Sequence, residues 1–421
     1  MDLLLSLLNW KAFVAVLMLA TKECFTKEEE FTWVSLKVPL VVEKEKVHLQ
    51  NAAFRSPRDL GSVCGIECQR NLPEPGPAEL EELLSYETFF ENGTRIFTKV
   101  ALEGFRNVGN TSVPSPASSA ALKRKRRQVY GMDGRFVISD KHFTTRFPFS
   151  ASVKLSTGCS GILISPKHVL TAAHCVHDGT NYLKGSRKLR VGMLKLRSKR
   201  GRRRGGRLRL EDVAGDRGEK RQRKKDKKQN NRLRRSTVIG KLVDGELKQP
   251  GLLWTKVKKI YVPQGWMSET GKDLVLDYNY ALLQLKRAIG LKHMDLGVLP
   301  LMKQIPASRV HFSGFDDDYP GNVVYRFCSI SEESKDLIYQ HCDAQEGSSG
   351  AGVYIRLGEP SKSVNSKRKW RRKVIGVFSG HKLVDMNGIE KDFNVAVRIT
   401  PEKFAQICHW IHGDSSNCRL T

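Results

Sequence analysis

A succession of short Val-, Ile- and Leu-rich segments, broken by Gly, Pro and Asn, fills the chain from about Val129 to its end. SASVKLS, CSGILISP, KLRVGMLKL, KVKKIYVPQGW, NYALLQLK, NVVYRFCSI, GVYIRL, KVIGVFSG and NVAVRIT all have this form. Strands at this spacing, with turn residues between them, predict an all-β barrel or sandwich rather than alternating βαβ units. One segment departs from the pattern. In PEKFAQICHWIHG, Pro401 stands at a helix start and Phe404, Ile407, Trp410 and Ile411 recur at helical spacing, so a short amphipathic C-terminal helix is expected. With 421 residues, 40% of them hydrophobic, the chain can bury a substantial core.

The charge is strongly unbalanced: 72 Lys and Arg against 44 Asp and Glu give +28, which attracts polyanions such as sulfated glycans, nucleic acid or acidic membranes. Half of the excess sits in one block. From Arg197 to Arg235 there are 19 Lys or Arg and 5 Asp or Glu, a net +14. So polar and self-repelling a stretch cannot bury enough surface to fold alone, and it reads as a disordered loop projecting from the barrel. Sulfated glycans of the extracellular matrix are the partner expected for it. Nucleic acid ranks last, because no recognition fold accompanies the basic runs and the N-terminus argues for export. A second basic run, Lys367 to Lys373, carries one aromatic, Trp370.

Residues 1–20, MDLLLSLLNWKAFVAVLMLA, read as a secretory signal: apolar runs flank Lys11, a small residue ends them, and the sequence then turns sharply polar. Lys11 leaves too short an apolar run to span a bilayer, so no membrane span is expected. Asn92-Gly93-Thr94 and Asn110-Thr111-Ser112 match the N-glycosylation acceptor. Nine cysteines suit an oxidising compartment, with one left over. Cys64-x3-Cys68 has no second Cys or His pair at ligand spacing, so disulfides are favoured over a metal site. Residues 21–127 mix acidic, Pro-rich and acceptor stretches and read as a propeptide or accessory region. They end in Lys123-Arg124-Lys125-Arg126-Arg127, a proprotein-convertase signature with Arg124 and Arg127 at the informative positions. Residues 128–421 are then the main domain.

CSGILISPKHVLTAAHC, Cys159 to Cys175, resembles the histidine segment of trypsin-like serine proteases. That resemblance implies a disulfide between Cys159 and Cys175, His174 as general base, and two packed six-stranded antiparallel β-barrels. It implies no cofactor and no metal. It continues through Leu189 to Gly192, Ile260 to Pro263, Ile375 to Gly380 and the C-terminal helix. In EGSSGAGVY, Glu346 to Tyr354, Ser349 matches the nucleophile, the N–H groups of Gly347 and Ser349 match the oxyanion hole, and Gly350 permits the tight turn.

Four departures from the family pattern stand out. The family's triad Asp precedes an aromatic or aliphatic residue and an apolar run, and here Asp277-Tyr278-Asn279-Tyr280-Ala281-Leu282-Leu283 puts Asn279 there, with Asp277 two residues early. Ser348 occupies the position whose Asp pairs with the new N-terminal amine in trypsin-like zymogens. Cleavage after Arg127 exposes Gln128, which can cyclise and lose its amine. The loop from Cys342 to Ser349 is longer than usual in the family and is similar to that of bacterial glutamyl-endopeptidase relatives, which do not depend on that Asp. Substrate preference therefore does not carry over. The expectation is a secreted protease homologue, weakly active or inactive because Asn replaces the triad Asp. Two alternatives stay open: an active endopeptidase cutting peptide or protein substrates through an acyl-enzyme, and a heparin- or matrix-binding pseudoprotease scaffold. Among the remaining cysteines, Cys328 and Cys342 are attractive partners by proximity.

Overall fold

A computed structural model describes residues 38–49, 75–104, 132–194, 251–267, 276–299, 309–358, 370–386, 389–415 and 418. The expected signal, Arg124 and Arg127, Asn110, the 197–235 insertion, and Cys24, Cys64 and Cys68 lie outside the described residues. In chain order the first elements are β1 (Leu40–His48), helix α1 (Pro77–Leu84), β2 (Tyr86–Phe90), β3 (Arg95–Glu103) and β4 (Phe136–Ile138). Then come β5 (Ser152–Leu155), β6 (Ser160–Ser165), β7 (His168–Thr171), β8 (Arg190–Leu194), β9 (Leu252–Pro263), β10 (Ala281–Leu285) and β11 (Asp295–Leu296). The last are β12 (Arg309–Gly314), β13 (Val323–Glu333), β14 (Leu337–Gln340), β15 (Gly352–Gly358), β16 (Trp370–Met386), β17 (Ile389–Arg398) and helix α2 (Pro401–His412).

The apolar segments do form strands, and hydrogen bonding rolls them up. β9, β10, β7, β6, β5 and β8 pair in that order, and β8 returns to β9, closing an antiparallel six-stranded barrel. Val153, Leu163, Val169, Val191 and Leu283 are fully buried in its core. β16, β15, β12, β13, β14 and β17 pair likewise, with β17 returning to β16. This second ring has a thin seam, since β12 and β15 share only His311↔Tyr354 and Phe312↔Val353. Its interior is filled by Val310, Phe312, Ile338, Val353, Ile355, Ile375 and Ala396. The period-2 alternation puts the residues between them, His311 and Tyr354 among them, on the outer face.

Helix α2 follows its sequence signals. The Thr400 side chain accepts the Lys403 N–H, Pro401 opens the first turn, and Gly413 ends the helix at φ 70°. Cys408 is bonded to Cys418, and Cys328 to Cys342. No helix among the described residues is long and apolar enough to cross a membrane.

The segment read as a propeptide or accessory region adds a sheet. β1, β3 and β2 extend the first barrel in that order, with β2 pairing to β9 from Tyr86↔Pro263 to Phe90↔Lys259. Leu83, Leu84 and Tyr86 are buried beneath α1 and at the start of β2. The Tyr86 and Tyr261 rings pack on Trp410 of α2, at 5.4 and 5.7 Å. Gln264 N–H donates to the Ser85 carbonyl at 2.6 Å, and the Gln406 amide donates to the Leu84 carbonyl. Charges dominate these strands: LVVEKEKVH carries four charged residues, and the buried Glu87 is paired with Arg95.

Candidate active site

His174 lies on a 3-10 turn, Ala173–Cys175, directly after β7. Ala172, Ala173 and Cys175 are buried, and Cys175 is bonded to Cys159 at the start of β6, so the turn is fixed from both sides. The imidazole is half-buried, with the Trp266 ring 6.4 Å away. Trp266 is in turn held by its indole N–H, which donates to the His177 carbonyl at 3.1 Å.

Asn279 follows the 3-10 turn Leu276–Tyr278 and is 1% exposed. Its Oδ1 accepts the backbone N–H of His174 at 3.0 Å. The ring Nδ1 is 3.2 Å from that Oδ1 and 3.0 Å from the amide Nδ2. A carboxylate at this position could only accept, which would fix the proton on Nδ1. The amide can do either: accept from Nδ1–H, or donate to a bare Nδ1 and so leave the proton on Nε2, the tautomer that cannot act as base. The charge of Asp277, the other candidate orienter, acts on the buried Lys382 of β16, whose ammonium is pushed down by burial and partly restored by that carboxylate.

The loop carrying Ser349 packs against the first barrel's disulfide. The Ser349 carbonyl accepts the Ser160 N–H at 2.8 Å and lies 3.7 Å from the Cys175 sulfur, which is itself 3.8 Å from His174 Nε2. Gly350 has φ 86°, and a side chain there would collide with the Thr171 hydroxyl and the Ser160 carbonyl. Gly347, at φ 92°, is walled by the Phe315 carbonyl and the Asp317 carboxylate.

The backbone around Ser348 is arranged in a consistent way. Ser348 N–H donates to the Gln345 carbonyl at 3.1 Å, and the Glu346 carbonyl is turned outward to accept from Asp317 N–H at 2.8 Å. The N–H groups of Gly347 and Ser349 have no acceptor among the described residues. Two free donors flanking one residue are what a developing oxyanion requires. The Ser348 hydroxyl, at the position of the missing Asp, donates to the Gln345 carbonyl at 2.5 Å and is fully buried.

Several supporting residues carried no sequence signal. Ser160 accepts the Phe315 N–H at 2.8 Å and donates to the Gly347 carbonyl at 2.7 Å, so one hydroxyl joins the two loops. Gly134 N–H donates to Asp343, at the head of the serine loop, at 2.7 Å. The Arg135 guanidinium, 4% exposed, bonds Asp133, Asp316 and Asp318 at 2.8 to 3.0 Å. The buried Arg326 also reaches Asp316, and burial pushes its guanidinium down. A segment shortly after Arg127 is thus tied to both loops bordering Gly347. Long-range pairs of single residues leave no periodicity, so no pattern could have revealed them. Asn92 occupies the exposed turn between β2 and β3, where its Oδ1 accepts the Thr94 N–H at 3.0 Å.

Cys159, His174 and Cys175 form a potential metal-ligand group, but both sulfurs are spent in the disulfide and offer no thiolate.

Comparison with known proteins places this geometry. Residues 137–212 match the Trypsin family model. The chain is 51% identical over 407 residues to "Inactive serine protease 35" of Homo sapiens, covering 93% of this chain and 94% of that one. It is 49% identical over 398 residues to the Mus musculus protein of the same name, with the same coverage. Identity to "Serine protease 23" of Homo sapiens is 43% over 390 residues, 92% of each chain. The solved structure described as "Structure of Glu endopeptidase in complex with MPD" aligns at TM-score 0.40 and 18% identity, over 67% of this chain and 99% of the other. With a histidine turn, a serine loop and a barrel closed by these strands, and with relatives this similar over nearly its whole length, the chain belongs to the trypsin-like serine protease family, in the group of inactive serine protease 35 and serine protease 23.

Proposed function

We propose that the chain is an exported serine protease homologue in which peptide-bond hydrolysis is weak or absent. The observation that carries this is the Asn279 amide against His174 Nδ1, where a carboxylate is needed to fix the tautomer. In the acyl-transfer reaction the Ser349 hydroxyl attacks the peptide carbonyl and its proton passes to His174 Nε2. The oxyanion is held by the N–H groups of Gly347 and Ser349, and His174 returns the proton to the leaving amine. The first of these transfers requires a bare Nε2. Asn279 withholds it in proportion to the time its amide donates to Nδ1. The names of the 43–51% identical relatives, one group called inactive and the other called a protease, are compatible with activity near this threshold. Export is supported by the disulfides, by the leader-like residues 1–20 and by the exposed Asn92 acceptor.

A fluorophosphonate probe applied to convertase-processed protein tests the reading. Slow labelling or none is expected, with any label lost in Ser349→Ala. Labelling at the rate of an ordinary trypsin-like enzyme would favour the active alternative, which the two unpaired N–H groups support.

A second reading concerns the basic insertion. Its +14 charge favours binding of sulfated glycans through residues 197–235. Elution from immobilised heparin should need high salt and should drop sharply when 197–235 is deleted. Unchanged elution rejects the role.

A further inference from the structure

The outer face of the second barrel carries a cluster of three arginines, Arg309, Arg356 and Arg372. Arg95, Arg135, Arg326 and Arg398 each pair with a carboxylate. Arg309, Arg356 and Arg372 have no carboxylate partner among the described residues. They share a face. Arg356 stands directly across from Arg372 in the β15–β16 ladder. Arg309 lies two residues from His311 on β12, and Arg356 two residues from Tyr354 on β15, while His311 and Tyr354 are themselves cross-strand partners. Two like charges directly opposed cost stability, yet nothing among the described residues neutralises them.

Aromatic rings hold the guanidinium groups. Arg356 lies 4.1 Å above Trp370, Arg309 5.1 Å above Phe327, and Arg372 5.8 Å from Phe147. A guanidinium held over a ring keeps its N–H donors available while its side chain is partly ordered, so less entropy is lost when it forms a bidentate bond to an oxyanion. The charges also act on a common neighbour: His311 is pushed down to about 4, first by burial and then by Arg309, Arg372 and Arg356. The imidazole is therefore neutral at physiological pH and does not add to the repulsion.

We propose that Arg309, Arg356 and Arg372 form an anion-binding subsite for a sulfated polysaccharide, with sulfate groups bridging the guanidinium edges across β12, β15 and β16. The choice of glycan rests on the export proposed above, which the three disulfides support and which would put the chain where such glycans occur and nucleic acid is scarce. The subsite is built on paired strands, and it depends neither on catalysis nor on the 197–235 insertion.

The experiment uses full-length protein and a variant lacking 197–235, each titrated calorimetrically with a heparin-derived hexasaccharide and with its desulfated form. In the deletion background, Arg309→Ser/Arg356→Ser/Arg372→Ser should weaken hexasaccharide binding at least 10-fold. The charge-matched control Lys44→Ser/Lys99→Ser/Lys286→Ser, at residues already paired with Glu81, Glu45 and Glu91, should weaken it less than 3-fold. Replacing the three arginines by lysine keeps charge and fold but removes the fork, and an intermediate loss is expected even if the serine variant fails to fold. Equal losses in arginine and lysine sets, no binding by the deletion variant, or equal competition by single-stranded DNA of the same charge would each overturn the proposal. Loss of binding only on deleting 197–235 would instead support the insertion alone.

Discussion

Exchanging Asn279 for Asp changes one atom pair and should restore the tautomer. The site offers a carboxylate two donors already in place, the His174 N–H at 3.0 Å and the ring Nδ1, which lies 3.2 and 3.0 Å from the two terminal atoms of the present amide. With the amide donor gone, Nδ1 must carry the proton and Nε2 is bare. The reverse exchange in a trypsin-family enzyme costs roughly 10⁴ in turnover, equivalent to about 5.4 kcal/mol of transition-state stabilisation. Asn279→Asp should recover at least 10²-fold of this, the remainder depending on how well the Ser348 loop holds its donors. The assay is the second-order rate of fluorophosphonate labelling of Ser349 in processed protein, with thermal unfolding as the check that a carboxylate at a site 1% exposed is tolerated. A folded Asn279→Asp protein that labels no faster than the parent would refute the reasoning and move the defect to the serine loop.

Three further outcomes are expected. Arg135→Met strips Asp316, which is fully buried, of one of its two cations while Arg326 remains, and should lower stability by about 2–3 kcal/mol; a loss below about 1 kcal/mol in urea denaturation would mean the cluster is not structural. His168 and His177 are pushed down to about 4, mainly by burial, against 6.5 for the free side chain. The unfolded chain then binds more protons between those values, so stability is complete above about pH 6.5 and falls as pH drops toward 4, by up to ~3 kcal/mol per histidine. His177→Asn, which keeps an acceptor for the Gly179 N–H, should shrink the difference between denaturation at pH 7 and pH 4.5, and an unchanged difference would exclude His177 as a source. Finally, cleavage after Arg127 should leave the N-terminal fragment bound, because β2 is hydrogen-bonded to β9 and Leu83, Leu84 and Tyr86 are buried. In protein with Cys24, Cys64 and Cys68 replaced by Ser, the two fragments should co-elute on gel filtration and separate only in denaturant; spontaneous release would show that the sheet extension is dispensable.

The sequence by itself determined most strands of the two barrels, though not β12 or β14, together with helix α2 and the motifs carrying His174, Asn279 and Ser349, because each is a local signal: alternation with period two, a cap and a proline, or a residue type within a short motif. Glycines at 347 and 350 belong with these, since a positive φ is a property of one residue and its immediate neighbours. The N-terminal sheet escaped, because Glu87 and Arg95 lie eight residues apart and read as surface charge until folding buries them as a pair. The same holds for Arg135 with Asp316 and for Ser160 with Gly347 and Phe315, where partners more than 150 residues apart are joined by closure of the fold. Only the tertiary structure decided which atoms of Asn279 face His174, that the N–H groups of Gly347 and Ser349 have no acceptor among the described residues, and that three arginines share one face. Those are questions of direction and distance between side chains on different strands, and a linear pattern of residue types does not encode them.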